Sequence, residues 1–110
     1  MVKSIRLCAS SVVSIALKPY DYDVHGHDVL VEACWCGSLD RRVDIEVLAR
    51  ILEEALKPLD RKPLWATLGY EKAMIEDLLV ELSRRLGRVN DLSLCSLTAR
   101  WSGRSITLNF

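Results

Sequence analysis

Val24-His25-Gly26-His27-Asp28-Val29-Leu30-Val31-Glu32-Ala33-Cys34-Trp35-Cys36-Gly37-Ser38 is the stretch that decides the architecture. Val29, Val31, Ala33 and Trp35 recur at every second residue, the spacing at which side chains of an extended strand share a face, and Gly37-Ser38 ends the run. Leu30 and Cys34 occupy the opposite face, so the strand is apolar on both sides. Upstream, from Ser4 to Leu17, the residues Ile5, Leu7, Ala9, Val13, Ile15 and Leu17 alternate with Arg6, Ser10 and Ser14. Joined through Pro19 and an aspartate-rich turn, the two segments read as a hairpin.

Downstream the period changes from two to 3.6. Asp44 opens a helical pattern in which Ile45, Leu48, Leu52, Ala55 and Leu56 fall three and four apart, with Glu46 well placed for the helix dipole. Lys57-Pro58 closes it. Leu59 to Leu68, with Pro63 and Trp65, is expected to be a loop, and Tyr70 to Leu86 carries a second stripe through Ile75, Leu78, Leu79, Leu82 and Leu86. Arg84, Arg85 and Gly87 suit its end. Leu92 to Arg100 and Arg104 to Phe110 alternate again around a Ser102-Gly103 turn, a second hairpin. The order ββααββ predicts an α+β fold, a four-stranded antiparallel sheet with two helices on one face, in a single domain over residues 1–110. Two open sheet edges and strands apolar on both faces predict self-association.

Composition narrows the function classes. Fifteen Lys plus Arg balance fifteen Asp plus Glu, so no electrostatic footprint for nucleic acid exists. No apolar run reaches the roughly 18 residues of a membrane span, and Lys18, Pro19 and Tyr20 stand where a signal peptide would carry small residues. No nucleic acid and no membrane partner is expected. Cys8, Cys34, Cys36 and Cys95 are too few and too unevenly spaced for a disulfide scaffold, which points to reduced thiols and a cytoplasmic protein.

Both histidines lie in one short segment. At positions i and i+2 of a strand, His25 and His27 point the same way, as two ligands of one zinc ion would, with Asp21 or Asp23 or a first-strand residue to complete the shell. A pair of strand histidines without metal fits the pattern as well. Cys34 and Cys36 have the other parity, so they face away from the imidazoles and read as small apolar packing residues, like Cys8 and Cys95, beside a packing Trp35. Asp60 follows the first helix in a loop. Glu71 begins the second helical pattern, where the helix dipole already accounts for a carboxylate.

The series His25-Gly26-His27 before a strand, Gly37-Ser38-Leu39-Asp40, Val43-Asp44 opening a helix, Leu59-Asp60 and then Glu71 resembles the 6-pyruvoyl-tetrahydropterin synthase family, including its 6-carboxy-tetrahydropterin synthase branch. The resemblance runs from Ile5 onward. It implies the tunnelling fold, in which subunits join as a trimeric barrel, two barrels stack as a hexamer and pterin sites lie between subunits. It also implies a zinc ion held by His25, His27 and a first-strand histidine, whose place is taken by Ser11 in Leu7-Cys8-Ala9-Ser10-Ser11. Asp21 stands where the family has its catalytic cysteine, and Asp60-Arg61 where it has an Asp-His dyad. Leu97 replaces a pterin-anchoring glutamate, whereas Glu71 keeps a substrate-binding one.

Two functions follow from that resemblance. One is a zinc-dependent lyase acting on the side chain of a reduced pterin triphosphate, with Asp21 as base, Asp60 supporting it, Glu71 on the pterin, and Asp23 as a reserve metal ligand. The other is a non-catalytic tunnelling-fold paralogue, a binding or assembly module whose chemistry has been lost.

Overall fold

The computed structural model describes residues 3–20, 23–41, 43–70 and 72–110. Strands β1 (Ser4–Tyr20) and β2 (Asp23–Ser38) form one long antiparallel hairpin, paired from Ser4 opposite Ser38 to Leu17 opposite His25 before the register shifts. A 3₁₀ turn at Leu39–Arg41 leads into α1 (Ile45–Leu56), whose first turn is capped by the Asp44 carboxylate accepting the Glu46 N–H at 2.9 Å. Leu48, Leu52 and Leu56 form its buried stripe. A second 3₁₀ turn, Lys57–Leu59, holds Pro58 where the helix can no longer continue.

The segment expected to be a loop contains two short elements, β3 (Lys62–Pro63) and α2 (Leu64–Leu68). Asp60 Oδ1 accepts the Ser14 N–H at 2.8 Å and the Arg61 N–H donates to the Ser14 carbonyl at 2.7 Å, so the chain docks along the β1 edge and β3 pairs parallel with Ile15 and Ala16. This adds a fifth, two-residue strand to the four expected. Gly69, at φ +85°, ends α2 in the left-handed region open to glycine. That break moves the next helix, α3 (Ile75–Leu86), five residues beyond the expected Tyr70 start, where the Met74 N–H donates to Asp77 Oδ2 at 2.8 Å. The expected stripe, Ile75, Leu78, Leu79, Leu82 and Leu86, is buried.

Strands β4 (Ser93–Trp101) and β5 (Arg104–Asn109) complete a sheet of order β3-β1-β2-β4-β5. The odd-numbered residues of β1 and β2 meet the helices: Val13, Val29, Val31, Ala33 and Trp35 are fully buried. The Trp35 Nε1–H also donates to the Gly87 carbonyl at 3.1 Å, so this indole is a packing residue tied to the end of α3. Strand β4 pairs with β2 only over Leu30 to Cys36, so Val24 to Val29 continue past it with β1 as an arm whose outer edge carries the short β3 at Ile15 and Ala16. The arm lengthens the molecule to 56 × 24 × 19 Å. No helix among the described residues is long and apolar enough to cross a membrane.

The cysteines require a correction. Rather than four reduced thiols packed singly, the structure has two disulfides, Cys8–Cys34 and Cys36–Cys95. The cause is register: Cys8 lies directly opposite Cys34 with Cα atoms 4.1 Å apart, and the β2–β4 irregularity after Cys34 brings Cys95 to Cys36. Their spacing along the chain carries no information about that pairing. The parity reading stands, because both disulfides lie on the even-numbered face of β2, away from the helices.

Gly37 marks the tightest backbone approach. A methyl group there would meet Leu92 Cδ2 at 2.7 Å and the Asp91 carbonyl at 3.1 Å, whereas at Gly26 it would meet nothing within 4 Å. Gly37→Ala is therefore expected to cost about 1–3 kcal/mol by overpacking, and Gly26→Ala much less. Urea denaturation of both variants checks this, and equal midpoints would contradict the packing described.

Candidate functional site

His25 and His27 sit on the arm, side by side on the helix-bearing face, with ring centroids 6.1 Å apart and planes inclined by 27°. His25 is exposed and His27 half-buried. The residues of β1 that face them are Leu17 and Ile15, respectively, and both are buried. Ser11 pairs with Val31, four positions from Ile15, which is about 13 Å along a strand rising about 3.3 Å per residue. The assignment of Ser11 to the third ligand place is thus corrected: the register sets an apolar side chain opposite each imidazole.

The donor set was compared with what zinc requires, three or four ligands of N, S or O type. The two imidazoles supply two. Among the described residues, the only group of three or more potential ligand side chains in mutual reach is Cys8, Glu32 and Cys34, elsewhere on the sheet and on its other face. Asp21 lies outside the described residues, as does the side chain of Asp23. The described residues at the histidine pair therefore do not fit a zinc centre.

Asp60 is engaged in structure. Its Oδ1 holds the Ser14 N–H, and its Oδ2 is 4.0 Å from Arg61 Nε, whose side chain is largely exposed. A surface ion pair of that length contributes little, whereas the carboxylate bond to an edge-strand amide secures the β3 contact. Glu71 lies outside the described residues. Leu97, the position of the anchoring glutamate in the resemblance, is fully buried opposite Ala33 beneath the helices, where no ligand reaches it.

A groove of about 480 Å³ opens where the arm meets β3. Its floor is Ala16 opposite Gly26, two residues too small to fill the even-numbered face, and Ser14 and Asp28 stand beside them with the Ser14 hydroxyl donating to Asp28 Oδ1 at 2.6 Å. Arg61 and Lys62 line its rim. Ile15 and His27 also line the groove, so one imidazole of the pair borders it. Ser14, Asp28 and Lys62 were not singled out from the sequence. Their signal is the register partnership of Ser14 with Asp28 and of Ala16 with Gly26, which becomes readable only once the hairpin is centred.

No family model and no curated protein sequence matches the chain. Among solved structures, that of Caenorhabditis elegans 6-pyruvoyl tetrahydropterin synthase superposes with a TM-score of 0.83, covering 100% of this chain and 99% of that one at 14% identity. The chain thus has the α+β tunnelling fold of that enzyme. At this identity the likeness extends to the fold alone.

If Asp60 acts as an edge-strand clamp, Asp60→Ala is expected to lower stability by about 1–2 kcal/mol through the orphaned Ser14 amide, while Asp60→Asn, which keeps an acceptor oxygen, preserves most of it. Chemical denaturation of the two variants checks this. Equal losses would contradict it.

Proposed function

We propose that the chain is a tunnelling-fold binding and assembly module that holds a small anionic ligand in the arm groove and carries out no synthase chemistry. The observation that carries this reading is the pairing of His25 and His27 with buried Leu17 and Ile15. Among the described residues no third ligand stands beside the two imidazoles, and two alone neither bind zinc firmly nor polarise a substrate oxygen. Arg61 and Lys62 at the rim supply the positive charge an oxyanion seeks, outweighing the Asp28 carboxylate that the Ser14 hydroxyl already engages. A reduced pterin triphosphate is the ligand that the resemblance supplies.

Self-association belongs to the same proposal. Along β1 only Ile15 and Ala16 pair with β3, and the outer edge of β5 is open among the described residues, so two backbone edges are free to join other copies. Val12 and Phe110, 59% and 60% exposed, add apolar surface near these borders. A trimer or a stacked hexamer is the closed assembly that the resemblance implies. We also infer a cytoplasmic location, where a reducing thiol pool would open one or both cysteine pairs.

A second reading, the zinc-dependent lyase with Asp21 as base and Glu71 on the pterin, is favoured by one observation, the two imidazoles held on one face. The readings separate on dihydroneopterin triphosphate offered to the oxidised protein with and without added zinc. The module binds it by calorimetry without product, and Lys62→Ala weakens binding about ten- to a hundredfold through the lost charged contact. Zinc-dependent turnover abolished by His27→Ala would establish the lyase and overturn the module.

A further inference from the structure

The two cysteine pairs lie on the same sheet face but have opposite surroundings. Beside Cys8–Cys34 stands a carboxylate: Glu32 Oε1 is 3.9 Å from Cys34 Sγ, and ligand atoms of Cys8, Glu32 and Cys34 all lie within 4.8 Å of one another. Beside Cys36–Cys95 stands a cation: Arg6 Nη1 is 3.8 Å from Cys95 Sγ, fixed there by an Nη2 bond of 2.6 Å to Ser96 Oγ. A guanidinium repels a metal ion, and a carboxylate completes a thiolate site. The pairs are therefore unequal as ligand sets.

From this difference we infer that Cys8, Cys34 and Glu32 form a redox-gated site for a divalent ion of the zinc class. The positions suit it because they are fixed by strand pairing and not by the disulfide itself. Cys8 and Cys34 are direct register partners inside the continuous β1–β2 pairing, and Glu32 lies two residues before Cys34, on the same face. Two thiolates on a tetrahedral zinc stand about 3.8 Å apart, given Zn–S bonds of about 2.3 Å, a separation that side-chain rotation alone supplies from facing cysteines. The only cation near Glu32 is Arg100 among the ion pairs described, with Nη1 3.9 Å from Oε1, beyond hydrogen-bonding range and on a half-exposed side chain. Three protein ligands leave one coordination position for water or a small ligand, the pattern of an open rather than a closed zinc site.

The chemistry balances in two steps. A phosphine or dithiol reductant donates two electrons to the Cys8–Cys34 bond, which breaks to two thiols as the phosphine takes up water oxygen to become its oxide, or the dithiol becomes a disulfide. The ion then displaces one proton from each thiol, forming two metal–sulfur bonds, while the Glu32 carboxylate supplies the third. A small-molecule disulfide reverses this: it accepts the two electrons and, with two protons from water, leaves as two thiols, while the Cys8–Cys34 bond re-forms and the ion is released. This site is independent of the histidine pair and of the groove, and lies on the opposite face from the imidazoles.

Cobalt(II) titration of phosphine-reduced protein under anaerobic conditions tests it, because a sulfur-to-cobalt charge-transfer band reports thiolate ligation and imidazole ligation produces none. The expected result is a band saturating at one ion per chain, absent from the oxidised protein and from Cys8→Ser and Cys34→Ser, and retained by Cys36→Ser and His27→Ala. Glu32→Gln, which keeps every cysteine and is confirmed as folded by circular dichroism, is expected to weaken cobalt binding about tenfold or more. No band in the reduced protein, a band undiminished in Cys8→Ser, loss in Cys36→Ser as complete as in Cys8→Ser, or unchanged affinity in folded Glu32→Gln would each overturn the assignment.

Discussion

The registered pairing of β1 with β2 is the constraint on which the rest of the structure depends. A slip of one residue would turn the whole apolar set of the strand that moves to the other face. Val13 of β1, or Val29, Val31 and Trp35 of β2, would leave the helices, and Cys8 would lose Cys34. The same register puts Leu17 and Ile15 opposite the imidazoles and Ala16 opposite Gly26 at the floor of the groove. Core, cross-links, histidine pair and groove are thus consequences of one alignment of two strands.

The two faces then divide the work. The odd-numbered face carries the core and, on the arm beyond β4, His25 and His27. The even-numbered face carries both disulfides and the charged pairs of Arg6 and Glu32 with their neighbours, and the groove at the arm takes lining from Ile15 and His27 as well as from Ser14, Ala16, Gly26 and Asp28. Leu17 and Ile15, opposite the histidines, contribute apolar burial on the arm. Asp60 has a structural task as well, since its carboxylate holds a backbone amide of the sheet edge.

Much of the fold was legible in the sequence because burial follows period. Val29, Val31, Ala33 and Trp35 marked one face of β2, and Leu78, Leu79 and Leu82 marked the stripe of α3, without any knowledge of partners. What was not legible depends on contacts between distant segments. The cap of α3 comes from Asp77 after a glycine break, β3 exists only because Asp60 and Arg61 meet Ser14, and the cysteine pairing requires the strand alignment. For the candidate site, the shared face of His25 and His27 was readable from spacing alone. Ser11 as their companion was not sustained, because aligning motifs along a chain does not measure distance across a hairpin.

In the function proposed above, the imidazole pair, which faces apolar Leu17 and Ile15, holds no zinc. Anomalous diffraction at the zinc edge, from crystals of the oxidised protein grown with equimolar zinc, measures this most directly. The account predicts no ordered peak between His25 and His27. A fully occupied peak bound by both imidazoles and a third protein ligand would contradict it.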